Sequence, residues 1–222
     1  DDCALIYSVM KGSDGLDLSV VDVPFQVPIK KELGSLRIGY IESAFKDTNT
    51  TDNDRAVLTR LRELGFTLIP IELPEFPTSS LSFLLNVEAA AAFDEMTRTN
   101  TDDELVRQVK WAWPNVFRTA RHVPAVEYVQ ANRARIILNQ KMFELFKSID
   151  VYVAPSFWGD NLLRTNLTGH PCVVMPNGFN EKGSPTSISF IGDLYRDGEV
   201  VAVAHAYQRG TSWHKNYPPK FK

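Results

Sequence analysis

A strand, a helix and a second strand follow one another in the first third of the chain. SLRIGYI, residues 35–41, and FTLIPIEL, residues 66–73, are short apolar runs rich in strand-forming residues. The segment between them has an apolar stripe at helical spacing, a cap at Thr50 or Thr51, and Gly65 where the helix ends. Two strands joined by a helix in this way form a right-handed crossover in a parallel sheet. The sequence therefore predicts an α/β protein.

The rest of the chain also alternates helices and strands. Apolar spacing predicts a helix capped by Thr78 or Ser79, a second start where Thr101 and Glu104 have capping-box spacing, and a helix of about 22 residues from near Pro124. Further apolar segments predict three strands and a last helix, namely VYVAP from 151, CVVMPNG from 172, TSISFIG from 186 and GEVVAVAHAYQRGTSWH from 198. We therefore expect a single α/β domain over residues 1–222, with a mixed sheet covered by helices.

The first residues, DDCALIYSVMKGSDG, show neither an initiator Met nor the features of a signal peptide. Apolar side chains lie nearly all round a predicted helix that stops at Gly12, which is typical of a buried helix. We expect the chain to open just before or inside a helix, as a fragment of a longer protein would.

Composition narrows the functional classes. The formal net charge is −3 with dispersed basic residues, and no run approaches the ~18 apolar residues that would cross a bilayer. The sequence thus predicts a soluble protein that binds neither nucleic acid nor membrane. Its two cysteines, Cys3 and Cys172, leave the redox compartment open, and a cytoplasmic location is favoured.

Two short motifs are candidates for a nucleophile. His170 beside Cys172 would suit thiolate catalysis, but Cys172 opens an apolar strand, where a cysteine is usually a small buried hydrophobe. Ser8 and Lys11 have Ser-x-x-Lys spacing without the Lys-Thr-Gly strand that supports it in penicillin-recognising enzymes. The sequence has no His-x-x-x-His pair, no Cys-x-x-Cys pair and no Gly-rich phosphate loop, so neither a metal site nor a cofactor is predicted.

Several segments in order along the chain resemble the amidase signature family. TNLTGHPCVVMPNGF, residues 165–179, resembles the family's Asn-Leu-(Thr/Ala)-Gly-x-Pro stretch and the Pro-x-Gly-Phe that follows it. GSPTSISFIGDLYRDGEVVAVAHAYQRGTSWHKNYPP resembles the closing strand and helix. Upstream, DDCALIYSVMKGSDGLD, LRIGYI, VEAAAAFDEM and VEYVQANRARI resemble the matching segments. The chain is similar to the C-terminal part of an amidase or of the amidase component of an amidotransferase.

This resemblance implies the C-terminal half of an amidase-signature fold and a parent enzyme that hydrolyses amides with a Ser, cis-Ser, Lys triad. In the family, the lysine and the Gly/Ser-rich signature precede the helix that opens this chain, so we expect no catalytic residue here and no activity of the chain alone. The adjacent Ser79 and Ser80 lack flanking glycines and are interpreted as helix caps. The implied partners are a small amide substrate and the missing N-terminal half; a homodimer is the alternative association.

The resemblance also implies a substrate-binding role for Asp160 and Asn166. Asp160 stands six residues before Asn166, the spacing at which amidotransferase subunits carry an aspartate that holds the substrate's amino group; otherwise it is a turn residue. The family's carboxylate-binding arginine has no match, because the region contains Lys110 instead. Five aromatic residues are candidates for an apolar pocket, although such side chains are more often core: Trp111, Trp113, Phe117, Phe157 and Trp158.

Two other interpretations stay open. LGSLRIGYIES with the following helix and strand resembles the opening of a periplasmic-type binding domain, which needs no nucleophile. A noncatalytic, amidase-derived interaction subunit is the third possibility. A lysine and a Gly-Ser-Ser-Gly run encoded upstream of Asp1 would favour the amidase over both.

Overall fold

The structure, a computed structural model, describes residues 2–28 and 33–217. It divides into two compact units, one made of the residues up to Pro74 and from Met142 onward, the other of Glu75–Lys141. In chain order the elements are α1 (Asp2–Met10), β1 (Arg37–Ile41), α2 (Glu42–Lys46), α3 (Asp52–Glu63), β2 (Thr67–Ile71), α4 (Phe83–Ala92), α5 (Asp94–Arg98), α6 (Trp113–Ala120), α7 (Ala125–Phe146), β3 (Val151–Pro155), α8 (Asn161–Thr168), β4 (Cys172–Phe179), β5 (Pro185–Gly192) and α9 (Asp197–Gly210).

The strands of the first unit form one mixed sheet in the order β2-β1-β3-β5-β4. β1 pairs in parallel with both β2 and β3, while β5 runs antiparallel to β3 and β4. The predicted α/β class and mixed sheet are confirmed, as is the parallel pairing of the first two strands. β4 has an irregularity between Pro176 and Gly178, where its register against β5 shifts.

The core of this unit lies against the middle of the sheet. All five residues of β3 are buried, because β3 has a neighbouring strand on each side and covered faces. On α3 the predicted stripe is confirmed, with Val57, Leu58 and Leu61 buried. Each such aliphatic side chain stabilises the fold by about 2 kcal/mol through the apolar surface it removes from water.

The predicted helix cap at the start of α3 is also confirmed. The Thr51 hydroxyl accepts the Asp54 backbone N–H at 3.3 Å, and the Asp54 carboxylate accepts the Thr51 N–H at 3.0 Å. This reciprocal arrangement satisfies donors that the first helical turn leaves without partners. At the other end, Gly65 has φ +90°, as the prediction of a left-handed terminating residue required.

The other predicted caps are wrong. Residues Thr78–Leu81 form a 3-10 turn without a side-chain cap, and α4 begins only at Phe83, so Ser79 and Ser80 are exposed turn residues. Thr101–Glu104 is likewise a 3-10 turn in which the Thr101 hydroxyl contacts Thr99 and the Met96 carbonyl. The tighter turn satisfies its backbone donors locally and leaves no α-helical first turn to cap.

The predicted burial of α1 is wrong as well, although its position is right. No residue of α1 is buried, and Leu5, Ile6, Val9 and Met10 are between 58% and 80% exposed. The described part of the chain covers this helix only in places, such as the edge-to-face contact between Tyr7 and Phe25 with ring centroids 4.9 Å apart. An apolar helix buries its faces only where another element covers them.

The second unit has its own small core. Ala90 of α4 packs with Phe117 and Ala120 of α6, joined by partly buried neighbours. α7 has the predicted length of 22 residues, and its last turns, from Met142, belong to the first unit. Throughout residues 2–28 and 33–217, no helix combines the length and apolarity needed to cross a bilayer.

Candidate functional site

A cavity of about 630 Å³ lies in the first unit, beyond the carboxyl ends of β1 and β3. The carboxyl ends of parallel strands are where open α/β sheets usually place their ligands, because the loops that leave neighbouring strands diverge there. The cavity is lined by residues from the loop after α2, the start of α3, the loop after β3 and the first residues of β5: Asp47, Asn49, Thr50, Thr51, Asp54, Pro155, Ser156, Phe157, Trp158, Gly159, Pro185, Thr186 and Ser187.

The loop after β3 gives this cavity its aromatic wall. Phe157 is 82% exposed and has a left-handed backbone with φ +66°, and Gly159 follows with φ +53°. A bulky residue at positive φ costs conformational energy, and such strain clusters at ligand sites. The strained turn holds the Phe157 ring at the cavity instead of in the core.

Asp47 joins the two loops that form the cavity. Its carboxylate accepts the Trp158 indole N–H at 3.2 Å and, on its other oxygen, the Asn49 backbone N–H at 2.8 Å. These hydrogen bonds, first that of the Asn49 backbone and then that of Trp158, lower the pKa of Asp47 below its usual value. The cavity therefore has an ionised carboxylate at its edge at neutral pH.

Hydrogen bonds between α3 and β4 support the cavity from beneath. The buried Asp54 accepts the Asn177 side-chain amide at 2.8 Å, and Asn53 donates to the Phe179 carbonyl at 3.0 Å and to Thr186 at 3.1 Å. Gly178 permits this contact, because a Cβ there would lie 2.6 Å from the Asn53 side chain. The shift in β4 thus brings its backbone against α3.

The predicted Asp160 lies beside the cavity and is already paired. Its carboxylate is 3.2 Å from the Arg164 guanidinium, which also donates to the Pro74 carbonyl at 2.9 Å. Arg164 is almost fully buried, with 4% of its side chain exposed. Asn166 is exposed on α8, and neither Asp160 nor Asn166 belongs to the cavity lining, whereas Phe157 and Trp158 do.

The other three predicted aromatic residues belong to the second unit. Phe117 is buried in that unit's core, where its ring stacks on Trp113 with centroids 5.6 Å apart. Trp111 is 77% exposed, and the Lys110 ammonium lies 4.8 Å from the centroid of its ring. Phe117 is thus part of a hydrophobic core, the more frequent role of large aromatic residues.

His170 and Cys172 occupy unlike environments. His170 is buried, its Nδ1 lies 2.7 Å from the Thr168 hydroxyl, and burial lowers the pKa of its imidazole. Cys172 is exposed, so its interpretation as a buried hydrophobe is wrong; it shares with Val174 a face of β4 that no described helix covers. Desolvation by its neighbours raises the pKa of the Cys172 thiol, which disfavours the thiolate that catalysis would need.

The Ser8 and Lys11 pair also has other partners. The Ser8 hydroxyl donates to the Leu5 carbonyl at 2.7 Å, and the Lys11 ammonium donates to the Val23 carbonyl at 3.2 Å. Among the described residues, no group of three His, Cys, Asp or Glu side chains is placed to hold a metal ion.

Sequence reasoning missed the polar half of the cavity. Asp47 and Asp54 were not singled out as site residues, although each follows the carboxyl end of β1 at short range. Because carboxyl ends of parallel strands share an edge of the sheet, polar residues after β1 and β3 were a usable signal. Thr186 and Ser187 offered none, since they come from an antiparallel strand far along the chain.

Comparison with known proteins identifies the family. A model of the family described as Amidase matches residues 1–162, which is well over half of the chain. The chain belongs to the amidase family. This amidase chain is 25% identical over 267 residues to the GatA-type component of the glutamyl-tRNA(Gln) amidotransferase from Alcanivorax borkumensis, covering 98% of itself and 54% of that relative. The corresponding protein of Trichormus variabilis is 26% identical over 268 residues, with coverages of 98% and 55%.

Solved structures share the fold. The peptide amidase of Stenotrophomonas maltophilia has a TM-score of 0.76 at 18% identity, with 98% of this chain and 52% of that chain covered. A bacterial aryl acylamidase of the amidase signature family has a TM-score of 0.73 at 17% identity, with coverages of 96% and 52%. The amidase chain therefore spans about half the length of the relatives it matches.

Proposed function

We propose that this chain forms one wall of the substrate pocket of an amide hydrolase whose catalytic serines and lysine lie in sequence N-terminal to it. The observation that carries the proposal is the cavity at the carboxyl ends of β1 and β3 in a chain of the amidase family. The relatives' names, which include a peptide amidase, an aryl acylamidase and a glutamyl-tRNA(Gln) amidotransferase, support an amide as substrate.

In this proposal the parent enzyme works through an acyl-enzyme. The lysine, through the bridging serine, removes the nucleophile's proton; the serine oxygen then attacks the amide carbonyl, and the amine leaves with a proton. Water hydrolyses the resulting ester. The present chain does not bear these groups; it binds and orients the substrate, with Phe157 and Trp158 contacting its apolar part.

Asp160 and Asn166 have a more restricted role in the same proposal. For Asp160 to hold a substrate amino group, its carboxylate would have to share or leave the Arg164 guanidinium. We therefore assign to Asp160 the positioning of the loop between β3 and α8, and to the exposed Asn166 a contact with the substrate or with the remaining part of the enzyme. Trp111 and Trp113 stay candidates for the same pocket.

A serine-directed fluorophosphonate probe tests the location of the nucleophile. We expect no labelling of the 222-residue chain and stoichiometric labelling of the longer protein encoded by its gene, at a serine N-terminal to Asp1. Labelling of the isolated chain at a serine of its own overturns the location. An unlabelled longer protein that hydrolyses no amide would favour a noncatalytic interaction subunit instead.

A further inference from the structure

The cavity is lined by carboxylates and hydroxyls but by no basic residue. Asp47 lies at its edge and Asp54 at its base, and the other polar lining residues are Asn49, Ser and Thr side chains. We propose that this wall selects uncharged and positively charged amides and rejects anionic ones, with Asp47 as the specificity-determining residue. The inference rests on the proposed function, since it names the substrate class of that site.

Nearby cations do not offset the carboxylate inside the cavity. Lys46 pairs with Glu42 at 2.9 Å, and Arg55 pairs with Asp52 at 3.3 Å while donating to the Asp47 backbone carbonyl at 2.9 Å. Neither Lys46 nor Arg55 lines the cavity. A substrate carboxylate placed there would face Asp47 without a compensating guanidinium or ammonium.

The bonds to Asp47 keep its charge in place. Three donors hold its two oxygens, namely the Asn49 backbone, the Asn49 side-chain amide at 3.1 Å and the Trp158 indole. Because these donors favour the ionised form, the charge persists at neutral pH. The Trp158 ring beside it adds an aromatic surface that attracts cations by its negative face.

Binding to the 222-residue chain tests the charge preference independently of catalysis. The probes are benzamide, its 4-aminomethyl derivative and its 4-carboxy derivative, which are neutral, cationic and anionic at pH 7; binding is followed by NMR titration of the chain. We expect the cation to bind about tenfold more tightly than the anion, a ratio that shrinks as salt is raised. A ratio near one, a preference for the anion, or no binding of any probe overturns the inference.

Two variants separate charge from loop geometry. Asp47→Asn removes the charge and should bring the ratio near one. Trp158→Phe breaks the same bridge between the loops but keeps the carboxylate and an aromatic ring, so its ratio should remain salt-dependent. Asp14→Asn removes an equal charge outside the cavity and should change nothing. If Trp158→Phe abolishes the ratio as completely as Asp47→Asn, loop geometry explains the preference and the charge assignment is wrong.

The outcome is distinguishable from failure of the proposed function. Fluorophosphonate labelling and amide hydrolysis by the longer protein report on the nucleophile, whereas the binding ratio reports only on this wall. Hydrolysis of the anionic amide as fast as the cationic one would sink the charge inference and leave the amidase proposal standing.

Discussion

Gly178 shows how much one residue can decide at the base of the cavity. The backbone there has φ +150°, and the Asn53 side chain occupies the space that a Cβ would need. Asn53 in turn ties α3 to both strands of the β4–β5 pair. The close approach of helix and strand therefore depends on the absence of one methyl group.

Gly178→Ala should lower the free energy of unfolding by about 3 kcal/mol, because it adds a steric clash to an unfavourable φ. Gly65→Ala is the matched control, with φ +90° and no atom within 4 Å of the added Cβ. It should cost only about 1 kcal/mol. Urea denaturation of both variants measures the difference, and equal losses would mean that Asn53 moves aside without cost.

His170 makes stability depend on pH. Burial lowers the pKa of its imidazole, and Asp193, with Oδ1 3.9 Å from Nε2, opposes this only in part. The folded state thus resists a proton that the unfolded chain accepts near pH 6.5. The resulting stability is present above that pH and is lost as pH falls through it towards the lower folded pKa.

We expect the free energy of unfolding to fall between pH 7 and pH 5 by up to about 1.4 kcal/mol per pH unit from this residue. His170→Gln should flatten the profile. His205→Gln should flatten it less, because His205, whose pKa burial also lowers, is more exposed. Denaturant titrations at half-unit steps of pH give the slopes. An unchanged slope in His170→Gln would show that carboxylates control this range.

At the scale of elements, helix starts with similar sequence patterns behave differently. Thr51 and Asp54 form a capping box on α3, whereas Thr101 and Glu104, with the same spacing, lie in a 3-10 turn. α3 continues for 12 residues and buries an apolar stripe, so tertiary packing maintains its first turn. The segment after Thr101 has no comparable stripe to pack.

Thr51→Ala should destabilise the chain by about 1 kcal/mol, since the N–H of Asp54 loses its acceptor. Thr59→Ala, at an exposed position in the middle of the same helix, should change stability by less than about 0.5 kcal/mol, because alanine favours helix there. Thermal unfolding of both variants provides the comparison. A Thr51 variant as stable as the Thr59 variant would mean that Asp54 alone maintains the cap.

At the scale of the whole molecule, α1 presents an apolar stripe to solvent. Leu5, Ile6, Val9 and Met10 are spaced so that they share one side of the helix, and all are more than half exposed. A contiguous apolar surface of this kind is typical of an interface. We therefore expect the isolated chain to self-associate, or to bind the part of the enzyme that it lacks.

Sedimentation velocity of the 222-residue chain should show an average mass that rises with concentration. Val9→Lys should shift the equilibrium towards the monomer by about tenfold in dissociation constant, through the apolar area lost and the charge introduced. Ser8→Lys adds the same charge to α1 without removing an apolar side chain, and should shift it much less. A chain that stays monomeric at high concentration would contradict the expectation.

The sequence by itself determined the α/β class, the boundaries of the long α7 and of β3, and the family. These properties follow from local periodicity, from turn residues such as Gly65, and from motifs in order along the chain, all of which are readable without knowing what packs where. The same local rules could not say that α1 is exposed or that Cys172 faces solvent, because burial depends on which elements cover a face.

Only the tertiary structure decided the cavity and the partners of its residues. Asp47 meets Trp158 across 111 residues of sequence, and Asp54 meets Asn177 across 123. Asp160 could be proposed as a site residue from the sequence, but its pairing with the buried Arg164 could not. Strand order brings such residues together, and strand order is a property of long-range packing that no local pattern encodes.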